Sequence, residues 1–453
     1  MKLIGKYEVR GLLGRGGMGA VYKVRLPALE KMMALKLLAP QPALTALLGP
    51  GEIRRRFILE AQTMGRLRHH NLASVTDFED RPGQTFFVME YYCLNLGEII
   101  GEGRDVEAPS RRIAVPQACS YVFQTLQGLA RLHLAGVVHR DVKPFNLLVT
   151  DQDQVKITDF GLSLLRGEVA SGPWKLKVGS PFHAAPEQVQ DPESAGPPAD
   201  LFSVGVMLHR FITGRLPAPE LPVPSILNPE LDDRWDRFFE KALRRAPEQR
   251  FQNAGEMSDA LARLLETWRT EREGSCPDAA TPAFSDSLRE FQLRGEAKKI
   301  APAEARKFFG LDELWRPRLF SPTRLIPRND GTVSQPATGL TWEAAGSVFP
   351  LTWLEAREYL DDLNEKQFAG RRNWRLPTVD ELLTLLARPG NEAGSCLAPS
   401  FPPDRKRLWS ADQRSALAAW YVNMDHGFAS WRDFSCCFHV RGVSPGPGPE
   451  RGE

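Results

Sequence analysis

From Lys6 to about Leu265 the chain presents strand-like runs first and helical periods afterwards, and this order limits the fold more than any other feature. It predicts an α+β unit with a small sheet-rich lobe followed by a larger helical one. Gln117 to Leu132 shows the helical pattern most fully: Val122, Leu126 and Leu129 recur on one face, flanked by Cys119 and Phe123, so a buried helix is expected. From Arg269 to Arg328 the pattern loosens into charged and Pro-containing stretches, with a short helical candidate at Ala303 to Leu314, and reads as a linker. Past Asn329 the composition changes, because six of the ten Trp fall there (342, 353, 374, 409, 420, 431) before a Gly/Pro tail. The expected organisation is therefore a domain at 7–266, a linker at 267–328, a second domain at 329–443 and a disordered tail at 444–453. A length of 453 residues agrees, at roughly 150 residues per domain.

Charge and apolar runs exclude several classes of partner. Lys+Arg 58 against Asp+Glu 56 leaves +2, a balance that gives no electrostatic argument for a nucleic-acid or anionic-membrane partner, since those footprints need a clustered basic excess, and no nucleic acid is expected. The longest uncharged runs, Leu37 to Gly51 and Ile113 to Ala130, are broken by Pro40, Pro42 and Pro50 or by Pro116 and three Gln. Neither reads as a membrane anchor. The N-terminal residues form no apolar signal core, so a cytoplasmic location is expected. Cysteines at 93, 119, 276, 396, 436 and 437 show no C-x-x-C spacing and are expected to be thiols.

Chemistry concentrates in the first domain. Gly14, Gly16, Gly19 and Val21 stand in G-x-G-x-x-G-x-V register between two β-like runs, where glycines let backbone N–H groups approach phosphates. A bland Gly-rich turn fits that pattern equally well. Fifteen residues after Val21, Lys36 lies in an apolar strand, and facing inward it needs an anionic partner; facing outward it is a surface lysine. Glu60, on the helical stretch Arg55 to Leu67, offers that carboxylate or is a solvated helix glutamate. The context that decides is Val138-His139-Arg140-Asp141-Val142-Lys143-Pro144-Phe145-Asn146, then Asp159-Phe160-Gly161 eighteen residues after Asp141, then Ala185-Pro186-Glu187.

This set resembles the eukaryotic-type serine/threonine protein kinases of bacteria, from Tyr7 to about Leu265. The resemblance implies the bilobal kinase fold and an ATP site contacted by Leu13, Gly14, Gly16, Gly19 and Val21. By it, Lys36 holds the α- and β-phosphates while paired to Glu60, Met89 is the gatekeeper, and the hinge at Glu90 to Tyr92 meets adenine. Asp141 accepts the substrate hydroxyl proton, Lys143 lies near the γ-phosphate and favours Ser/Thr specificity, and Asn146 and Asp159 hold Mg²⁺. Asp200 resembles the buried aspartate that anchors the catalytic loop, and Arg250 the partner of Glu187. The chain departs from the pattern in three places. The loop between Lys36 and Glu60 is long and carries Pro40, Pro42, Gly49, Pro50 and Gly51. Between Asp159 and Glu187 there is no threonine, which leaves Ser163, Ser171 and Ser180, with Ser171 the expected regulatory phosphosite. His183 stands where tyrosine is common.

In the second domain Thr352-Trp-Leu-Glu355 and Thr378-Val-Asp-Glu381 are capping boxes that start two helices. Ala356, Leu360 and Leu363 in one, and Leu382, Leu385 and Leu386 in the other, suit packing on a sheet. With Asn329 to Trp342 and Asn373 to Thr378, this order resembles the Lcl-type C-terminal domain with its C-type-lectin-like fold. That resemblance implies a binding role and no catalytic residues. Trp342, Trp374 and Trp409 lie in strand-like segments and read as core more readily than as a ligand platform. Cys436 and Cys437, adjacent in a strand, would point to opposite faces and act poorly together. The expectation is a soluble, autophosphorylating serine/threonine kinase in signal transduction that uses ATP and Mg²⁺ on protein substrates, with a C-terminal module for a ligand or partner. The alternative is a pseudokinase scaffold.

Overall fold

The computed structural model describes residues 2–103, 105–159, 182–190, 195–218, 220–274, 293–320, 324–386 and 400–445. It divides into two compact units, residues 1–274 and 275–453. The first opens with β1 (Leu3–Ile4), β2 (Tyr7–Arg15), β3 (Gly19–Leu26) and β4 (Lys31–Leu38). The short helix α1 (Pro42–Leu48) and the longer α2 (Pro50–Arg66) follow, and then β5 (Val75–Arg81) and β6 (Gln84–Glu90). The strands form one antiparallel sheet in the order β1-β2-β3-β4-β6-β5. Alternation along them sends Tyr7, Val24, Met33, Leu35, Phe86 and Val88 to one buried face. On α2, Ile53, Phe57, Glu60, Ala61 and Met64 are buried, a single helical stripe that turns one carboxylate inward together with its apolar neighbours.

The helical lobe contains β7 (Leu94–Asn95), α3 (Leu96–Ile100), α4 (Val115–Leu134), β8 (Leu147–Val149) and β9 (Val155–Ile157). It continues with α5 (Pro186–Gln190), α6 (Pro197–Thr213), α7 (Pro224–Leu227), α8 (Asp233–Ala242) and α9 (Ala254–Gly274). Helix α4 appears where its apolar spacing predicts, with Cys119, Val122, Leu126 and Leu129 buried. Helix α6 is buried nearly all round, as its run Leu201 to Leu208 dictates. In the small sheet β7-β8-β9, β8 starts directly after Asn146 and β9 ends two residues before Asp159.

The second unit has α10 (Pro302–Phe308), β10 (Ile326–Pro327), β11 (Thr332–Gln335), β12 (Leu340–Glu343), α11 (Trp353–Glu365) and α12 (Val379–Leu383). It ends with β13 (Arg407–Ser415), β14 (Ala418–Asn423), β15 (Phe428–Asp433) and β16 (Val443–Pro445). Its sheets run β10-β11-β12-β16 and β13-β14-β15. Both capping boxes are present: Thr352 and Thr378 accept from the N–H of Glu355 and Glu381, and each glutamate accepts from its threonine's N–H at 2.8 Å. Trp342, Trp353, Trp374, Trp409 and Trp420 are all buried, in keeping with a core role.

Three boundaries differ from the sequence reading. Helix α9 runs through to Gly274, beyond 266. Residues 293–320, read as linker, supply Ile300, Ala305, Phe309 and Leu311 to the second core. Arg294 adds bonds to both carboxylate oxygens of Asp412, at 2.9 and 3.0 Å. Ala305 and Phe309 stand four apart on α10 and its C-cap, inside the helical candidate at Ala303 to Leu314, but one short helix flanked by single anchors at Arg294, Ile300 and Leu311 leaves too little periodic pattern to mark a domain. At the other end β16 takes up Ser444 and Pro445, and the rest of the tail lies outside the described residues. The expectation of thiols fails at Cys93 and fails at Cys436, each of which is engaged in a disulfide, whereas Cys119 is a buried free thiol. Disulfide formation depends on the apposition of two Cβ atoms, which spacing along the chain does not encode. Cys436 and Cys437 also lie outside any strand. Among the described residues no helix is long and apolar enough to cross a membrane.

Candidate active site

Register places the first components. Gly14 pairs with Val21 across β2 and β3, and Val21 pairs with Lys36 across β3 and β4. The glycine turn and the lysine therefore share one end of the sheet. A Cβ on Gly19 would stand 2.1 Å from Leu37 O, which excludes any side chain, while at Gly14 and Gly16 it would meet nothing within 4 Å. Leu13 is exposed and Val21 half-buried beside this turn.

Lys36 is 6% exposed. Its Nζ donates to Glu60 Oε1 at 2.7 Å and to Asp159 Oδ1 at 2.6 Å. Burial acts to lower the lysine pKa, but the Asp159 and Glu60 carboxylates outweigh it and hold the pKa above its ordinary value. Asp159 is likewise opposed by burial and pulled below the usual carboxylate range, chiefly by Lys36. So Lys36, on a strand, joins a helix carboxylate 24 residues away to a loop carboxylate 123 residues away.

The second cluster is built on the loop after α4. Asp141 Oδ2 accepts from Asn146 Nδ2 at 2.9 Å, and its Oδ1 accepts from Lys143 Nζ at 3.1 Å. Asn146 Nδ2 also donates to Asp141 O at 2.8 Å. Burial lowers the Lys143 pKa, with Asp159 and Glu102 opposing. The loop is pinned by Asp200 on α6, wholly buried, which accepts from His139 N–H at 2.9 Å and Arg140 N–H at 2.7 Å. That anchoring holds Arg140 at φ 64, left-handed backbone that a non-glycine residue keeps only when its surroundings impose it. Arg250 donates to both oxygens of Glu187 at 2.7 Å, as the motif implies.

At the other end of β6, Met89 is buried, Glu90 is exposed and Tyr91 and Tyr92 are half-buried, with Tyr92 OH donating to Glu90 Oε2 at 2.7 Å. Phe160, Gly161, Ser163, Ser171 and Ser180 lie outside the described residues.

Sequence reasoning missed a buried cluster beside Lys143. Glu102 and Arg210, brought together by the end of α3 and α6, stand 3.3 Å apart. Nothing in the sequence marks a pair so far separated. His183 is 2% exposed with neither ring nitrogen hydrogen-bonded. Burial, then Arg210 and Lys143, push its pKa down to about 3 from 6.5. Since the unfolded chain takes this proton first, stability present above pH 6.5 is lost progressively as pH falls toward 3. Between pH 7 and pH 5 this one group should cost about 2 kcal/mol. Denaturant titrations of wild type and His183→Phe at both pH values should show a shallower loss in the variant; parallel losses would remove His183 as the cause.

A family model described as the protein kinase domain matches residues 7–279. The chain belongs to the protein kinase family. A second model, the Lcl C-terminal domain, matches residues 331–444. The chain is 33% identical over 298 residues to the serine/threonine-protein kinase PksC of Streptomyces coelicolor, covering 61% of this chain and 52% of that protein. To PknE of Mycobacterium tuberculosis it is 30% identical over 284 residues, covering 59% and 48%. It thus spans about half the length of these curated relatives. A crystal structure of the Mycobacterium tuberculosis PknI kinase domain aligns over 58% of this chain and 97% of that one, at 25% identity and a TM-score of 0.44.

Proposed function

We propose that this protein kinase transfers the γ-phosphoryl group of ATP to serine or threonine hydroxyls of proteins, its own included. The observation that carries the reading is the convergence of Lys36, Glu60 and Asp159, together with an Asp141 carboxylate held by Asn146 and Lys143. The names of the relatives, serine/threonine-protein kinases, favour the same hydroxyl class.

In this reading Gly14, Gly16 and Gly19 let the backbone close over the phosphates, Leu13 and Val21 flank the adenine, and the Glu90 to Tyr92 backbone meets its edge. Lys36, kept charged and aimed by Glu60, holds the α- and β-phosphates. Asp141 takes the hydroxyl proton as the acceptor oxygen attacks, and Lys143 balances charge on the transferring group. The donor set fits Mg²⁺: Asn146 commits its Nδ2 to Asp141, which leaves its amide oxygen as an acceptor. With Asp159 that makes two hard oxygen ligands, and Mg²⁺ is commonly held by so few, phosphate oxygens and water completing the set. When bound, the cation neutralises charge on the β- and γ-phosphate oxygens. The second unit, by its family, is proposed to bind a ligand or partner. A radiolabelled-ATP autophosphorylation assay on the full chain tests the kinase reading, with phosphoamino-acid analysis of the product. Phosphate on serine or threonine supports it, and phosphate only on tyrosine, or none, overturns it.

A further inference from the structure

The long loop between Lys36 and Glu60 does not hang free of the glycine turn. It extends the β3–β4 ladder past its last pair, Gly19 with Leu38. Ala39 N–H donates to Met18 C=O at 3.0 Å, and Gln41 N–H donates to Gly17 C=O at 2.9 Å. Across the turn, Gly16 N–H donates to Gly19 C=O at 2.8 Å. Helix α1 then lies against the tip: Leu44 is 4% exposed, and its Cδ2 is 3.6 Å from the point where a Cβ on Gly17 would project. Met18 is itself 6% exposed.

Peptide geometry turns these contacts into a statement about donors. The peptide bonds of this turn are trans, no cis bond occurring among the described residues, so the C=O of one residue and the N–H of the next, which share a plane, point in opposite directions. Fixing the carbonyls of Gly17 and Met18 on residues 41 and 39 therefore turns the N–H groups of Met18 and Gly19 away from the inserted loop. A glycine turn left to itself would lose more backbone freedom than any other sequence on being ordered around a ligand. Donors already aimed avoid that cost when the anion arrives.

We propose that the segment Ala39 to Leu48 is a clamp that preorganises the glycine turn for the phosphates of a nucleotide, with Leu44 and the Gln41 N–H as its positioning groups. This rests on the reading of the turn as the ATP phosphate site. Gln41 allows a narrow probe, because its φ of −67° is the one proline adopts. Gln41→Pro thus deletes a single donor while keeping the backbone. The full-length protein and its Gln41→Pro, Leu44→Ala and Leu44→Met variants are titrated with a non-hydrolysable ATP analogue plus Mg²⁺, and separately with adenosine, which lacks phosphates. Gln41→Pro and Leu44→Ala should each weaken the analogue about three- to tenfold, the worth of one contact. Adenosine should bind unchanged, and Leu44→Met should restore wild-type analogue binding. KM for ATP should rise in proportion with kcat nearly constant, and hydrogen exchange at the amide of residue 39 should quicken in Leu44→Ala. Unchanged analogue binding in both variants overturns the clamp, as does a loss shared equally by adenosine, which would mark general loosening of the lobe. A wild-type protein that binds neither probe overturns the nucleotide reading itself, and the clamp's purpose with it.

Discussion

Asp141→Asn should cut autophosphorylation by about 10²–10⁴-fold, the usual worth of a positioned proton acceptor. It should cost the fold less than Lys36→Met does, because asparagine keeps the volume and one of the two acceptor oxygens that Asn146 and Lys143 use. Activity within a few-fold of wild type would remove Asp141 from the mechanism. Lys36→Met should be equally inactive and the less stable of the two. Glu60 is 1% exposed, and its carboxylate accepts from Lys36 Nζ. Breaking a buried pair by removing one partner costs about 3–5 kcal/mol. The double variant Lys36→Met/Glu60→Gln, which takes away the buried carboxylate charge as well as the lysine, should regain much of that stability and none of the activity. Activity and unfolding midpoint measured on the three proteins separate the two roles; a Lys36→Met protein as stable as wild type would mean that Glu60 finds another partner or a proton.

The site was legible in the sequence to the extent that its parts are short motifs. The glycine turn, Lys36, the Asp141 to Asn146 loop and Asp159 each sit in a local pattern, and their order along the chain is the one that the protein kinase family carries. Glu60 was legible only through that context, since a lone glutamate on an amphipathic helix says nothing of where it points. Arg210, Glu102 and His183 carry no such context: their meeting depends on how α6 packs beneath the loop, and a buried arginine at the end of a largely apolar helix has no sequence signature. The clamp stood out as an anomaly of length and proline content, but which backbone groups it would grip follows from the β3–β4 register. In the second unit the capping boxes predict both helix starts because a cap is a contact between residues three apart.

The segment 293–320 is where the two levels part, and it sets the largest expected stability effect. A fragment beginning at Asn329 contains all of the region that matches the Lcl-type model, and composition alone marks it as a domain. It lacks Ile300, Ala305, Phe309 and Leu311, however, all of them in the buried core with Trp342, Trp420 and Val443. It also lacks Ile300 O, which accepts from Trp420 Nε1 at 3.1 Å, and Trp315, which packs on Trp420 and Trp431 with ring centroids 5.7 and 5.2 Å apart. Asp412, wholly buried, loses Arg294 and with it a charge partner. Each large apolar side chain removed from a core costs about 3–5 kcal/mol, and domains are stable by only about 5–15. A fragment of residues 329–445 should therefore show no cooperative unfolding and should bind a hydrophobic dye. A fragment of residues 293–445 should unfold cooperatively, and Phe309→Ala within it should lose about 3–5 kcal/mol. A sharp thermal transition in the shorter fragment would mean that residues 293–320 lie on a core already complete without them, and the domain boundary would return to Asn329.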